Sequence, residues 1–449
     1  MKKTALIVGM AKSGVSSAKL LYKNGYKVII NDLKSDIPGL DDELHGIDYV
    51  SRLGVAPEAL LDEADLMILS PVIPIFKPFV KTAIRKGIEV IGEIELGYRY
   101  CDRGTNFVCI GGTNGKTTTT ALTGEIFKAN GVGKTFVLGN IGIPITEHAL
   151  ETRAGDTVVA ETAALQLESI KEFHCNAAGL LNITEDHLNR FESMDTYIAA
   201  KFRMFENQTE SDYAVLNADD PIVSAAPTRA KKLFFSRLHE VENGAFVRNG
   251  RIIFRMDGVE TPLILADELG IIGSHNLENA LCAVCLSLCM GVRSEVVCEV
   301  LKTFKGVEHR IEYTRCFNGI TFYNDSKGTN PESTIKAVEA MKQPTVLMLG
   351  VGNYDKHSDY RPLFRAFNGK VKAVVVNGSN TEAIMAAAEA EGYENIHACC
   401  DDLREMVLTA LQLADTGDAV LLSPACASWG MFKNFEERGR IFKEIVNSL

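Results

Sequence analysis

The stretch Phe107-Val-Cys-Ile-Gly-Gly-Thr-Asn-Gly-Lys-Thr-Thr-Thr-Thr120 constrains the fold of this chain more than any other. Four apolar residues, Phe107 to Ile110, read as a buried strand; glycines then make a turn, and a helix runs from Thr117 through Phe127. Strand, turn and helix in that order aim backbone N–H groups and an open helix N-terminus at one point, where phosphate oxygens can be held. Lys116 is expected to reach the outer phosphates, and the Thr117 hydroxyl to face Mg²⁺. The spacing is shorter than GxxxxGK[ST]: its first glycine would fall on Ile110, leaving Gly112-x-x-Gly115-Lys116-Thr117. An ordinary glycine turn is the alternative. The strand–helix context and the adjoining Lys-Thr favour phosphate binding.

A chain of 449 residues predicts about three domains. The 46% apolar content supports large cores, and a net charge of −11 leaves no broad basic surface for nucleic acid. Ala5 to Val8, the apolar run after Met1-Lys2-Lys3, is far too short for a signal peptide or a membrane span, so a cytoplasmic enzyme is expected. Eleven cysteines in such a chain point to reduced thiols. Cys282, Cys285 and Cys289 read as one face of a buried helix and not as half a metal site, and Cys399-Cys400 is read the same way.

Residues 1–104 alternate strands and helices. Thr4 to Val8, a turn at Gly9-Met-Ala-Lys-Ser-Gly14, a helix from Val15 to Asn24 and a strand from Lys27 toward Asp32 form a βαβ unit. It is close to a dinucleotide fingerprint, with Ala11 in place of the middle glycine and Asp32 near the expected ribose-binding position. A buried strand then stops at Ser70, before Pro71-Val-Ile-Pro74. In residues 105–306, strands at 134–138, 157–160 and 178–183 end in Gly139-Asn140, Glu161-Thr162 and Thr184-Glu-Asp-His187. Side chains past the carboxyl ends of parallel strands gather at one crevice, so Glu161, Asp186 and His187 are expected beside Lys116, with solvated helix caps as the alternative. Lys201, on an amphipathic helix over 195–207, reads by itself as a surface lysine. Short β patterns over 232–265 suggest a small antiparallel appendage. Asn276 and Asn279 share a helix face and could read a base, bind a phosphate or cap the helix. Residues 307–449 alternate again. Asp325-Ser-Lys327-Gly-Thr329-Asn330, Asp355-Lys356-His357 and the run from Ser423 to Ser428 follow strands, in a locally cationic crevice suited to a small carboxylate. The predicted fold is α/β in three domains: an N-terminal Rossmann-like one, a central P-loop ATPase-like mostly parallel sheet with the appendage, and a C-terminal Rossmann-like one.

Several motifs, in order along all three domains, carry a resemblance to the Mur ligase family, which shares its fold with folylpolyglutamate synthetases. They are Gly112-Thr-Asn-Gly-Lys-Thr-Thr118, Gly139-Asn-Ile-Gly142, Asn182-Ile-Thr-Glu-Asp-His187, Tyr197-Ile-Ala-Ala-Lys201, His275-Asn276-x-x-Asn279, His309-Arg310 and Asn324-Asp-Ser-Lys327. The segment Leu422 to Gly439 is similar to the D-glutamate-adding branch, and no Asp-Asn-Pro-Arg sequence of diaminopimelate- or lysine-adding members is present.

The resemblance implies amide ligation in the cytoplasmic synthesis of peptidoglycan precursors, with UDP-N-acetylmuramoyl-L-alanine, D-glutamate and ATP as substrates and two Mg²⁺ sites. A monomer is expected, with neither nucleic acid nor membrane as partner. Gly112, Thr113, Asn114, Gly115, Lys116, Thr117, Thr118, Asn276, Asn279, Arg310 and Asp325 would bind ATP. Thr117 and Glu161 would hold one Mg²⁺; His187 and a carbamylated Lys201 would hold the other. Lys116, His187 and Lys201 would be catalytic. Ser13, Asp32, Ser70 and Asn140 match UDP-sugar positions, and Lys327, Thr329, Lys356, Ser428 and Phe435 match the D-glutamate pocket. Three departures stand out. Val72 replaces a glycine usual after Ser-Pro, Thr162-Ala-Ala replaces a serine-rich run, and the loop before Lys356 is longer. Rival readings are another ligase of this fold, a catalytically dead binding protein and an NAD-binding protein. The N-terminal unit, the intact Lys116, Glu161, His187 and Lys201, and Ala11 weigh against these in turn.

Overall fold

The computed structural model describes residues 2–140, 142–186, 188–353, 358–399 and 402–449. Three sheets organise them. The first holds β1 (Thr4–Val8), β2 (Lys27–Asp32), β3 (Tyr49–Leu53), β4 (Leu66–Leu69) and β5 (Glu89–Gly92), all parallel, in the order β3-β2-β1-β4-β5. Ala5, Leu6 and Ile7 are fully buried, which is why β1 reads as an unbroken apolar run. The order reverses at β1, so the turns after β1 and β4 flank the crevice. The helix Lys12–Lys23 leaves that turn so closely that a Cβ on Gly14 would lie 2.1 Å from the Gly9 carbonyl oxygen.

The second sheet holds β6 (Asn106–Gly111), β7 (Thr135–Gly139), β8 (Thr157–Glu161), β9 (Ala177–Leu180), β10 (Tyr213–Asn217), β11 (Lys231–Ser236), β12 (Gly244–Arg248), β13 (Arg251–Met256) and β14 (Val259–Leu265). Their order is β14-β13-β12-β11-β10-β9-β6-β8-β7. Pairing is parallel from β7 through β12 and antiparallel only across β12, β13 and β14. The segment expected as an appendage is therefore the end of the main sheet, joined to it by β11 and β12. β6 lies between β8 and β9, so its loop emerges at the switch point.

The third sheet holds β15 (Glu312–Phe317), β16 (Ile320–Asn324), β17 (Thr345–Gly350), β18 (Val371–Asn377), β19 (Ile396–Ala398) and β20 (Ala419–Leu422), ordered β15-β16-β20-β17-β18-β19. Only β15 runs antiparallel to its neighbour.

Residues up to Glu268 with Glu278–Lys302 form one compact unit; Leu269–Leu277 with Thr303–Leu449 form another. Within the first unit, the first two sheets share a continuous core through the helix Glu93–Tyr100. Tyr98, Phe107 and Phe173 pack edge to face with ring centroids 5.2 to 5.9 Å apart. The fully buried Glu95 carboxylate accepts the N–H groups of Lys171 (2.8 Å), Glu172 (3.1 Å) and Phe173 (2.9 Å), and Arg99 Nε donates to it at 2.7 Å. Cys282 and Cys285 fill the core face of the helix Ser274–Cys289, and burial pushes both thiols well up, as befits inert core residues. Cys399 is half-buried; Cys400 lies outside the described residues. No helix among the described residues is long and apolar enough to cross a membrane.

Candidate active site

β6 ends at Gly111, and the helix Lys116–Asn130 begins after four loop residues, with Gly115 as its N-cap. Gly115 has φ +86°, and a Cβ there would sit 2.3 Å from Asn279 Oδ1, so both conformation and space demand glycine. Lys116 Nζ donates to the carbonyls of Gly112 and Thr113 at 2.9 Å each, which holds the ammonium across the loop mouth. The loop is braced from β9: Thr113 N–H donates to the Asn182 carbonyl at 2.9 Å, and Asn182 exchanges two further bonds with Asn114. Thr113 Oγ1 lies 3.2 Å from the Tyr197 hydroxyl.

Register places Ile110 opposite Glu161, at the carboxyl end of β8. Glu161 is 3% exposed. Its Oε1 accepts from Asn140 Nδ2 at 2.8 Å, while its Oε2 is buried with no hydrogen-bond partner. An orphaned carboxylate oxygen costs about 1–3 kcal/mol or more, and a cation removes that cost. The buried Thr117 hydroxyl and this carboxylate form a donor set of hard oxygens, which fits Mg²⁺.

Lys201 corrects the expectation of a surface lysine: it is 3% exposed, on the helix Met194–Phe202, with its ammonium 4.6 Å from the Tyr197 ring centroid. Burial, aided by the charge of Lys116 and opposed by Asp186, brings its pKa down from 10.5 to about 7. The lowered pKa leaves part of this amine unprotonated and nucleophilic near neutral pH. His187 lies outside the described residues.

Of the UDP-sugar candidates, Ser13 follows β1, Asp32 closes β2 and Ser70 follows β4. Asp32 accepts Met10 N–H and Lys34 N–H at 3.0 Å each, fixing the turn between β1 and its helix. Ser13 opens that helix, and Ser70 is buried at the end of β4. Ile73 N–H donates to the Ser70 carbonyl at 2.9 Å, closing a turn in which Val72 keeps a negative φ and an exposed side chain. The turn thus admits valine without backbone strain. The exposed Asn140, from the loop after β7, is tied to Glu161.

In the second unit Asp325 is buried after β16, accepting from Ser423 Oγ at 2.7 Å and Ile311 N–H at 3.2 Å. Burial pushes its carboxyl up to about 6, against the pull of Ser423 and Arg310. Arg310 Nε is buried and unpartnered, a donor open to an anion. Asn276 donates to the Ile272 carbonyl at 2.7 Å; it is joined to the helix start by that bond. His275, burdened by burial and by Arg310 and Lys336, has its pKa lowered to about 4 and is neutral at pH 7. Lys327 Nζ lies 5.5 Å from the Phe435 ring centroid, Thr329 follows in the same loop, and Ser428 is buried after β20. Lys356 lies outside the described residues.

Arg438 is a residue that sequence reasoning passed over. It is fully buried and donates to Ser326 Oγ (3.0 Å), the Ser326 carbonyl (2.8 Å), the Val351 carbonyl (2.8 Å) and the Cys426 carbonyl (3.3 Å). One guanidinium so ties the loops after β16, β17 and β20. The signal was an arginine in a Glu-Glu-Arg-Gly run that looks like a solvated helix face. Glu308, His309 and Glu312 lie close enough to chelate a metal, but Lys443 Nζ already bonds the two carboxylates at 2.6 and 2.9 Å.

A strand-end phosphate loop, a buried carboxylate with an open oxygen and two further nucleotide-fold units define an ATP-using α/β enzyme. Family models agree along the chain: the Mur ligase MurD-like N-terminal domain over residues 3–92, the Mur ligase middle domain over 110–287 and the Mur ligase glutamate ligase domain over 309–426. The chain belongs to the Mur ligase family. Within it, the chain is 44% identical to the UDP-N-acetylmuramoylalanine–D-glutamate ligase of Alkaliphilus metalliredigens, covering 100% of this chain and 98% of that one. It is 45% identical to the enzyme of that name from Thermoanaerobacter pseudethanolicus, with the same coverage. The UDP-N-acetylmuramate-alanine ligase of Thermotoga maritima shares the fold at 18% identity, with TM-score 0.60 over 99% of both chains.

Proposed function

We propose that this protein is an ATP-dependent, ADP-forming ligase that joins D-glutamate to UDP-N-acetylmuramoyl-L-alanine in cytoplasmic peptidoglycan precursor synthesis, acting as a monomer. The observation that carries the substrate assignment is the likeness to D-glutamate ligases over the whole chain. Residues 1–104 take the UDP-sugar through Ser13, Asp32 and Ser70, with Asn140 added from residues 105–306, which take ATP. Residues 307–449 take D-glutamate through Lys327, Thr329, Lys356, Ser428 and Phe435, and Arg310 and Asp325 complete the ATP contacts with Asn276 and Asn279.

An oxygen of the alanyl carboxylate attacks the γ-phosphorus, the bond to the ADP oxygen breaks, and an acyl phosphate forms. The D-glutamate amine then attacks the acyl carbon. The tetrahedral adduct collapses with loss of phosphate, and the nitrogen gives up its proton. Both steps concentrate negative charge, which Lys116 and the loop N–H groups offset. Thr117 and Glu161 would hold one Mg²⁺, and His187 with carbamylated Lys201 a second, supplying further positive charge at the phosphates. The carbamate is what the likeness to Mur ligases implies, and the lowered pKa of Lys201 supports it: a free amine adds to CO₂, loses a proton and becomes an anionic oxygen ligand.

Phosphate release from ATP, measured with UDP-N-acetylmuramoyl-L-alanine and a panel of amino acids, tests the reading. D-Glutamate should give the highest turnover. Equal rates with L-glutamate or L-alanine would overturn the assignment.

A further inference from the structure

We infer that Glu93, acting through Thr146 and Ser16, is a positioning residue for the nucleotide sugar: it fixes the spacing between the helix that carries Ser13 and the loop that carries Asn140. The inference rests on the UDP-sugar reading above and goes beyond it, because Glu93 touches no substrate.

Glu93 follows β5 and opens the helix Glu93–Tyr100. A carboxylate in a first helical turn normally stays in water, yet this one is 5% exposed. Its Oε1 accepts Thr146 N–H at 2.8 Å and the Thr146 hydroxyl at 2.9 Å. Thr146 Oγ1 also lies 2.8 Å from Ser16 Oγ. Threonine has one hydroxyl hydrogen, so Thr146 Oγ1 gives it either to Glu93 or to Ser16 Oγ, while its backbone N–H stays on Glu93. The backbone bond to the carboxylate is the fixed link of the relay, and the hydroxyl extends it to Ser16.

The relay joins three segments. Ser16 lies one helical turn beyond Ser13 on Lys12–Lys23. Thr146 lies in the short helix Ile145–His148 that follows the loop starting at Gly139-Asn140, and Asn140 in turn holds Glu161. Gly97, one turn along from Glu93, leaves no slack: a Cβ there would meet Ile145 Cγ2 at 2.7 Å and the Thr146 nitrogen at 3.0 Å. Burying a carboxylate is costly, and an apolar contact would pack these segments equally well. What the carboxylate adds is placement: it accepts from one backbone position and holds the Thr146 hydroxyl within reach of Ser16 Oγ. Glu95, on the same helix and equally buried, bonds residues 171–173 and neither gripping segment. It therefore separates a positioning role from simple anchoring.

The test uses full-length Glu93→Gln, Thr146→Val and Glu95→Gln. Calorimetry reads binding of UDP-N-acetylmuramoyl-L-alanine, steady-state kinetics read KM for all three substrates, and thermal melts read stability. Glu93→Gln and Thr146→Val should raise Kd and KM for the nucleotide sugar about tenfold, with KM for ATP and D-glutamate within about twofold of wild type. Glu95→Gln should lower the melting temperature with no such selectivity. If Glu93→Gln does not fold, Thr146→Val, which keeps the backbone donor and the shape, carries the test. Equal binding by wild type and both variants overturns the positioning role alone, as does a parallel change in all three KM values. A wild-type chain that fails to bind the nucleotide sugar overturns the underlying reading and this inference with it.

Discussion

Asn182 and Asn114 hold each other reciprocally: Asn114 N–H donates to Asn182 Oδ1 at 2.8 Å, and Asn182 Nδ2 donates to the Asn114 carbonyl at 3.2 Å. The phosphate loop is thus set by a side chain from the end of the adjacent strand as well as by its own glycines. Asn182→Ala should raise KM for ATP about tenfold by releasing the loop. Asn182→Asp should do worse, since it removes a donor and places a negative charge beside the phosphates. Nucleotide titrations of the two variants check the order; an affinity for ATP as high in Asn182→Asp as in wild type would show that the loop needs no such brace.

Lys116 is half-buried at the loop mouth, where its ammonium bonds carbonyls of its own loop, so its removal should affect chemistry far more than folding. Lys116→Ala should lose at least about a thousandfold in turnover while melting within a few degrees of wild type. Retained turnover would take the phosphate loop out of the mechanism.

Lys201 should react with dissolved CO₂. Carbon-13 spectra in labelled bicarbonate are expected to carry a carbamate resonance that is absent from Lys201→Ala. Because the neutral fraction of the amine shrinks below about pH 7, the resonance should fade as pH drops below that value. A spectrum identical in the variant would mean that Lys201 remains a simple amine.

His275 gives a pH dependence of known sign. Its ring protonates near pH 6.5 in the unfolded chain but only near pH 4 in the folded one. Between those values the unfolded chain binds more protons, so stability should fall as pH drops from 6.5 to 4. His275→Gln, which cannot titrate, should flatten that part of the curve. Urea midpoints taken across the range check it, and an unchanged slope would assign the loss to other groups.

Arg438→Met should leave the Ser326, Val351 and Cys426 carbonyls without their donor. The expected cost is about 3 kcal/mol or more in stability, accompanied by a raised KM for D-glutamate. Denaturant melts and amino-acid titrations measure both; a variant as stable as wild type would mean that the loops hold themselves.

Much of this was legible in the chain because the buried strands are unbroken apolar runs. β1 matches its sequence-based range to the residue, and Glu161 stands at the end of β8, where the strand is expected to finish. The two strands missed, β3 and β15, are at sheet edges and half exposed, so their patterns mix polar and apolar residues without a clear run. The strand expected to reach Ile183 stops at Leu180, because Leu181 to Thr184 turn toward the phosphate loop. Burial of charge was the hidden quantity. Lys201, Glu93, Glu95 and Arg438 all sit in helices whose local sequence suits a wet surface, and only contacts distant in the chain bury them.

The anchoring of three loops by Arg438 also bears on the order of events during synthesis. β16, β17 and β20 and the loops that follow them leave the ribosome before the helix Phe435–Asn447 exists. Until that helix emerges, the loops that carry Lys327 and Ser428 are joined by the Ser423–Asp325 bond and by Ala425 N–H to the Gly328 carbonyl, but not yet by the guanidinium. The guanidinium is therefore the last of the ties among these three loops to form, and a chain still short of Arg438 during synthesis carries the loops without it.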